Sequence, residues 1–570
     1  MTAAATGRIR EAGDSALLLE VGTTIDETVN ARAIAIAADV RRRAIPGVRD
    51  VVSTFHSVAV FFDPLSTDVS AVAASLHQAT EFVASGFSRK DSSRIVEVPV
   101  VYGGEAGPDL EVVAAFGGCS PEAVIERHVA RTYRVFMLGF LPGFAYMASV
   151  DETIAAPRRA APRVRVPAGS VAIAARQTAV YPFESPGGWQ IIGRTPLAVF
   201  DSTRTPAALF APGDQVRFVP SLPDVVSGDR GANPVGFARA SLTRLAPQES
   251  AVGRYITVLR PGLLTTVQDS GRWGHQAQGV PVSGAMDPVA HRLANAIVRN
   301  PDDAATLEAT LLGPELRLED DTTIAIAGAD LRASVDGALV PLHAPVPCRG
   351  GSVLRFGGRR AGARAYVAFD GGIAVTRVLG SRSTHLLSGL GGIDGRAARA
   401  GDRIPLGAPR ADLKVGPYKP YQPSRVGADL QVGPAGGARL RVLPGPQVDS
   451  FTADALNLLQ RARFNVSTQS DRMGYRLTGG PALPRVDTTD MISDATFLGG
   501  VQIPPSGDPI LLMADWQTSG GYPQIAVVIT ADLPKAAQLA PGDWVELEIC
   551  TRSEAVSALI AQEGKLLAVR

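Results

Sequence analysis

Several short stretches of this sequence place titratable side chains where the chain must turn. In Ser470-Asp471-Arg472-Met473-Gly474 a carboxylate stands beside a guanidinium, and the glycine lets another group approach the backbone closely. Such a pair can move a proton or grip an anion, and it can equally just hold a loop. Asp269 and Arg272, in Gln268-Asp269-Ser270-Gly271-Arg272, are too closely spaced and too glycine-flanked for a helix, so Arg272 reads either as a loop ion pair or as an anion grip. Arg176, Gln177 and Thr178 interrupt apolar, strand-like residues and either point into a cleft or hold a turn. His128 lies near the end of a helix and shares a face with Val124 and Ile125, which suits a satisfied core histidine better than a catalyst. Gly139-Phe140-Leu141-Pro142-Gly143-Phe144 sets two aromatic rings on a stiff turn, a good pocket wall. Asp287-Pro288 starts a helix, so Asp287 is a cap or a ligand.

Equally informative is the chemistry that is missing. The chain has only five lysines, and its single Gly-Lys pair, Gly564-Lys565, precedes leucine, so no P-loop is present. No lysine adjoins a methionine, which excludes covalently attached biotin in its usual turn. There is no Gly-x-Ser-x-Gly elbow and no His-Glu-x-x-His helix. The three cysteines are far apart and read as buried, reduced thiols, with no metal site. A net charge of +1, with both signs spread along the chain, gives no footprint for nucleic acid or for an anionic membrane. Small molecules and proteins are the expected partners. Arg8, Arg10 and Glu11 precede any apolar run and no stretch is long enough to span a bilayer, so a cytoplasmic location is expected.

At 570 residues, with 59 glycines and 42 prolines, the elements that position these groups should form several strand-rich domains. Residues 1–88 alternate strand and helix as a split βαβ unit of α+β type. Residues 89–222 read as a barrel of short strands with one helix capped at Ser120-Pro121. Residues 223–253 form a linker; 254–408 and 439–552 are two further barrel-like units joined by 409–438; and 553–570 make a C-terminal tail helix. The fold class is therefore mainly β with an α+β start. A weak repeat supports related units: Ser185-Pro186-Gly187-Gly188 is followed by Gly213-Asp214, and Ser519-Gly520-Gly521 by Gly542-Asp543, with a fainter copy at Gly371-Gly372 and Gly401-Asp402.

The first half resembles the B component of 5-oxoprolinase, the KipI or allophanate-hydrolase-subunit-1 family. The resemblance rests on Gly139–Phe144, Val166-Pro167-Ala168-Gly169-Ser170-Val171-Ala172-Ile173, Gln177-Thr178-Ala179-Val180-Tyr181-Pro182 and Ser185-Pro186-Gly187-Gly188-Trp189. The second half resembles the C component of 5-oxoprolinase, the KipA or allophanate-hydrolase-subunit-2 family, related to the carboxyltransferase region of urea carboxylase. There the marks are Pro261–Arg272, Gly279–Asp287, Leu307–Pro314, Gly380–Thr384, Ser470–Leu477 and Asp515–Pro523. The resemblance implies cyclophilin-like barrels and ATP-dependent opening of 5-oxo-L-proline to L-glutamate, with Mg accompanying the nucleotide. It also implies a separate partner, the 5-oxoprolinase A component of LamB/YcsF type, and leaves self-association open. Under it, Arg272, Arg382 and Arg472 are candidates for a phosphate or substrate grip. His128, Asp269, Asp471 and Asp515 are candidates for proton transfer, Gln517 and Thr518 for orienting substrate, and Arg176, Gln177, Tyr181 and Glu184 for the other wall of the cleft. The alternatives are a biotin-dependent carboxyltransferase using a carrier on another chain, and a regulatory inhibitor of a sensor histidine kinase. Allophanate hydrolysis itself is poorly supported, because these lysines build no amidase Ser-Ser-Lys set.

Overall fold

The computed structural model describes residues 7–86, 94–222, 253–409, 436–487 and 491–569; the expected linker and most of the 409–438 connection lie outside them. Strands Arg8–Glu11, Ala16–Glu20, Val48–Ser53 and Ser57–Phe62 form one antiparallel sheet in which Ser57–Phe62 lies between Ala16–Glu20 and Val48–Ser53, the split arrangement expected of the crossover. Helix Glu27–Arg42 supplies that crossover. Asp26 caps it by accepting from the backbone N–H groups of Thr28 and Val29, and Ala33, Ile36, Ala37 and Val40 recur at helical spacing on its buried face.

Seven strands then close a barrel: Ile95–Tyr102, Thr132–Leu138, Ala145–Ala148, Ser170–Ala174, Gln177–Val180, Gln190–Arg194 and Gln215–Pro220. A second closed barrel uses Gly437–Pro444, Arg463–Val466, Gly474–Thr478, Gly500–Gln502, Ile510–Leu512, Gln524–Val528 and Trp544–Ile549. Numbered in chain order, both run around the wall as first, sixth, fourth, fifth, third, second, seventh. In both, the seventh strand returns to pair in parallel with the first, Gln215 opposite Ile95 and Trp544 opposite Gly437. Each also carries a two-stranded side sheet, which contains Ser185–Gly187 in one and Ser519–Gly520 in the other. The Gly-Gly and Gly-Asp repeat is thus the trace of two barrels of one topology.

The fainter third copy has a different outcome. Between Tyr255 and Pro405 the strands form separate six-stranded and five-stranded sheets packed over a shared core, and no closed barrel. Alanines 325, 327 and 368 on the outer face of the five-stranded sheet let helix Pro288–Ile297 pack closely. Its cap is Asp287, which accepts from Ala290 N at 2.8 Å and settles that residue as a cap. The C-terminal helix Arg552–Leu567 is more than a tail. Thr551 and Glu554 make a capping box, Leu566 joins the helix-on-sheet core, and Glu563 forks onto Arg292 with two bonds of 2.7 Å.

The two halves of the chain are packed together through buried carboxylates. Asp494 accepts from Thr54 and Ser57, Asp14 from the Thr530 amide and hydroxyl, and Asp50 from Gln276 N at 2.8 Å. Burial pushes Asp50 up to about 6, against the opposing pull of its backbone donors and Arg41. The folded pKa lies above the unfolded one. This group therefore stabilises the fold fully below about pH 4, and that contribution is lost as pH rises through 6. Asp50→Asn keeps an acceptor for Gln276 without the charge. It should be more stable than the parent at pH 7.5, by up to about 3 kcal/mol, with the gap closing at pH 4.5. Thermal melts at both pH values check this, and an equal gap at both would refute it.

Candidate active site

In the second half, a cavity of about 330 Å³ opens between the two-sheet unit and the closed barrel. Strands Thr306–Thr310 and Ala361–Phe369 pair antiparallel with Glu308 opposite Tyr366 and Thr310 opposite Arg364. Because side chains alternate along a strand, these four share one face. The barrel contributes Asp471, Arg472 and Met473 from the turn before Gly474–Thr478, Tyr475 from that strand, and Asp515 from beyond Ile510–Leu512. His385, Leu386 and Leu387 enter from the long loop that leads to Arg403–Pro405.

Arg472 is the hub of the cavity floor. Its Nε and Nη2 fork onto Asp515 with two bonds of 3.0 Å, Nη1 reaches Glu308, and Nη2 also donates to the Gly284 carbonyl at 2.7 Å. The other oxygen of Glu308 accepts from Met286 N at 2.9 Å and from the Tyr366 hydroxyl at 2.7 Å. Burial alone would lower the Arg472 pKa, but Asp515 and Glu308 raise it above its ordinary value. Burial alone would raise Asp515, and Arg472 followed by His385 hold it below the usual carboxylate range instead. Both members therefore stay charged.

His385 is a different kind of group. Its Nδ1 accepts from the Ser388 backbone N–H at 3.3 Å and meets the Ser388 hydroxyl at 2.5 Å, which leaves Nε2 as the protonated nitrogen. Burial pulls its pKa down to about 4, with Asp515 opposing, so it is a neutral donor near pH 7. Arg364 is pinned by Nη1 alone, to the Tyr475 hydroxyl and the Ala537 carbonyl, both at 2.6 Å. Leu263 and Leu386 line the cavity and are 64% and 39% exposed; Leu312, 51% exposed, accepts from Leu263 N, so the mouth has a leucine rim.

The structure brings together Asp471, Arg472 and Asp515 of the residues singled out in the sequence, and it disperses the rest. His128 is 0% exposed inside the first barrel, bonded to Tyr102 and Thr178 and stacked near Phe218; burial lowers it to about 3. It sits as a satisfied core histidine and does not line the cavity. Asp269 spends its carboxylate on the Ser381 and Ser383 hydroxyls and on the amides of Arg382 and Gly271. Arg272 and Arg382 donate to carbonyls, of Ser383 and Val375 respectively, and among the described residues they neither form ion pairs nor line the cavity. Arg472 itself is fully engaged and cannot offer a fork to a ligand.

Arg176 and Glu184 sit in exposed ion pairs with Glu152 and Arg165, Gln177 starts a barrel strand, and Tyr181 is buried among Phe140, Phe144 and Trp189. They form no second wall of the cavity. The Phe140–Phe144 turn instead meets the second half: Phe140 N donates to the Ser519 hydroxyl at 3.1 Å, and Gly143 N to the Gln278 carbonyl at 2.8 Å. Gln517 donates to the sulfur of Met473, behind the cavity wall, and Thr518 is buried beside it in sequence. Among the described residues, no three His, Cys, Asp or Glu side chains are grouped as cation ligands. Sequence reasoning missed Glu308, Arg364, Tyr366 and His385. The available signal was a charged residue inside an apolar strand, as in Leu307-Glu308-Ala309 and Ala363-Arg364-Ala365.

Family models match in two blocks: "Carboxyltransferase domain, subdomain C and D" over residues 7–210, and "Carboxyltransferase domain, subdomain A and B" over residues 278–549. The chain is 37% identical to the C component of 5-oxoprolinase from Escherichia coli over 303 residues, 53% of this chain and 94% of that protein. It is 42% identical to the B component of 5-oxoprolinase from Bacillus subtilis over 222 residues, 37% of this chain and 92% of that one. Urea amidolyase of Saccharomyces cerevisiae matches at 33% identity over 51% of this chain, covering 16% of that enzyme. A crystal structure titled TTHA0988 superposes with a TM-score of 0.78 at 34% identity, covering 95% of this chain and all of its own.

Proposed function

Since the chain belongs to the carboxyltransferase-domain family of the 5-oxoprolinase B and C components, fused in that order, we propose that it is the B/C component of an ATP-dependent 5-oxoprolinase, opening 5-oxo-L-proline to L-glutamate. The observation that carries this reading is the near-complete coverage of both components by one chain whose halves share a hydrogen-bonded interface. The cavity supports it. A lactam carbonyl is resonance-stabilised, and its opening needs a donor for the oxygen on which negative charge develops. Neutral His385, with its proton on Nε2, supplies such a donor, and the Arg472–Asp515–Glu308 cluster gives it a fixed, charged setting.

The cavity does not fit a polyphosphate. Among the described residues no lysine lines it, Arg472 is matched by two carboxylates, and Asp471 and Asp515 would repel phosphate oxygens. The ATP, with its Mg, is therefore handled outside this cavity, in the assembly that the chain forms in the cytoplasm with a LamB/YcsF-type A component. The resemblance to urea amidolyase favours, as second reading, a carboxyltransferase served by a biotin carrier on another chain.

Purified chain incubated with 5-oxo-L-proline and ATP should release almost no glutamate alone, and should show 5-oxoproline-dependent ATP hydrolysis with glutamate release once the A component is added. Full glutamate release by the isolated chain would refute the division of labour. No turnover in the mixture, with carboxyl transfer from a carboxybiotin carrier instead, would establish the second reading.

A further inference from the structure

We infer that the Nε–Nη2 edge of Arg364, with the Thr310 hydroxyl beside it, is the receptor for the substrate's carboxylate. Arg364 lines the cavity and is only 6% exposed. Among the described residues no carboxylate is paired with it; its Nε is buried without a hydrogen-bond partner, and its side-chain bonds to Tyr475 and Ala537 both leave from Nη1. A buried guanidinium without a counter-ion is costly, and the free edge is the one that Arg472 uses to fork onto Asp515. The edge is also held rigid. Nη1 is tied to Tyr475 and Ala537, and Gln538 Oε1 accepts from the backbone N–H groups of Ala363 and Arg364 at 3.0 Å. Thr310, directly across the strand pair from Arg364, has an unpartnered hydroxyl as well. Two unsatisfied polar groups side by side on one strand pair, themselves covered but carried by residues that line the cavity, mark a place for a planar anion.

A carboxylate and a phosphate share that chemistry, and the charge balance favours the carboxylate. Arg472 is cancelled by Glu308 and Asp515, Asp471 is turned to the Met473 and Gly474 amides, and among the described residues no lysine lines the cavity, so Arg364 is the lining cation with no carboxylate paired to it. One positive charge suits a monocarboxylate and not a triphosphate. The assignment rests on the proposed function for the identity of the substrate alone; it makes the α-carboxylate of the lactam the feature that is selected.

The test compares the fused chain with its Arg364→Gln, Arg364→Lys and Thr310→Val variants, by kinetics with the A component and by calorimetric binding. The probes are 5-oxo-L-proline, 2-pyrrolidinone (the same lactam without the carboxylate), cyclopentanecarboxylate (the carboxylate without the lactam) and inorganic phosphate. Arg364→Gln should raise the KM for 5-oxo-L-proline at least ~10-fold with a smaller change in kcat, and Arg364→Lys should recover part of the loss. The parent should bind cyclopentanecarboxylate, and the Gln variant should not. Thr310→Val, nearly isosteric, carries the same test in a milder form if Arg364→Gln fails to fold. Unchanged KM in both Arg364→Gln and Thr310→Val would overturn the inference, as would loss of phosphate binding with 5-oxo-L-proline binding retained. Absence of turnover by the parent complex would instead refute the proposed function, and cyclopentanecarboxylate binding would then still decide whether Arg364 receives carboxylates.

Discussion

Replacing Arg472 with Met should destabilise the protein by about 3–5 kcal/mol, because it strands two buried carboxylates without their shared cation. Asp515 and Glu308 are 6% and 1% exposed, so little solvent reaches them. Urea unfolding should show a lower midpoint with an unchanged slope. The triple change Arg472→Met, Glu308→Leu, Asp515→Leu should recover part of the loss, since it removes all three buried charges but leaves Met286 N, the Tyr366 hydroxyl and the Gly284 carbonyl without their partners. A cost below 1 kcal/mol for Arg472→Met would mean that the cluster does not hold the two units together. Arg472→Lys keeps the charge but cannot serve both carboxylates in the plane of a fork, so turnover should fall at least ~10-fold, or about 1.4 kcal/mol of transition-state stabilisation. The fold would be spared by a solvent-facing loop pair; with Arg472 at 3% exposed, Lys is expected to cost stability as well.

Removing the imidazole of His385 should lower kcat by about 10²–10³, the usual effect of losing one donor to a developing oxyanion. His385→Ala tests the loss, and His385→Gln, which retains an N–H, should restore part of it. With a pKa of about 4 the ring is already neutral at pH 6 and gains nothing further by pH 8. Its ionisation should therefore leave no inflection in the kcat profile across that range. A general base of ordinary histidine pKa would give a rate that falls as pH drops through 6.5. An inflection there that disappears in His385→Ala would overturn the donor assignment, as would a His385→Ala rate within threefold of the parent.

The secondary structure was legible wherever a local rule governs it. Ser120-Pro121 and Asp287-Pro288 both open helices, and the glycine-rich repeat marks two barrels of equal topology. The third unit escaped the rule because closure depends on which strands pair, and turn residues alone do not set that. The candidate site was half legible. Arg472 and Asp515 stood out from their neighbours, but the partner that changes the meaning of Arg472 is Glu308, 164 positions away. A guanidinium read in isolation looks free to grip a ligand; only packing shows that it is already engaged. Arg364 is the converse case, an arginine that looks like one polar residue in a strand and whose unpartnered Nε emerges only when its hydrogen bonds to Tyr475 and Ala537 are traced.

Both barrels are shut by the same pair, the first strand beside the last, and this sets an order of events during synthesis. Ile95 cannot meet Gln215 until roughly 120 more residues have been made, a delay on the order of ten seconds at ordinary rates of translation. Throughout that interval one edge of the growing sheet has no neighbour and offers its N–H and C=O groups to any other chain. The second barrel repeats the exposure, because Gly437 waits for Trp544. Fusing the two modules places these vulnerable periods in series on a single ribosome, and the first barrel can close before the second begins to emerge. Nascent chains released short of Gln215 or of Trp544 carry an unclosed wall, and they are the species that chaperones must capture.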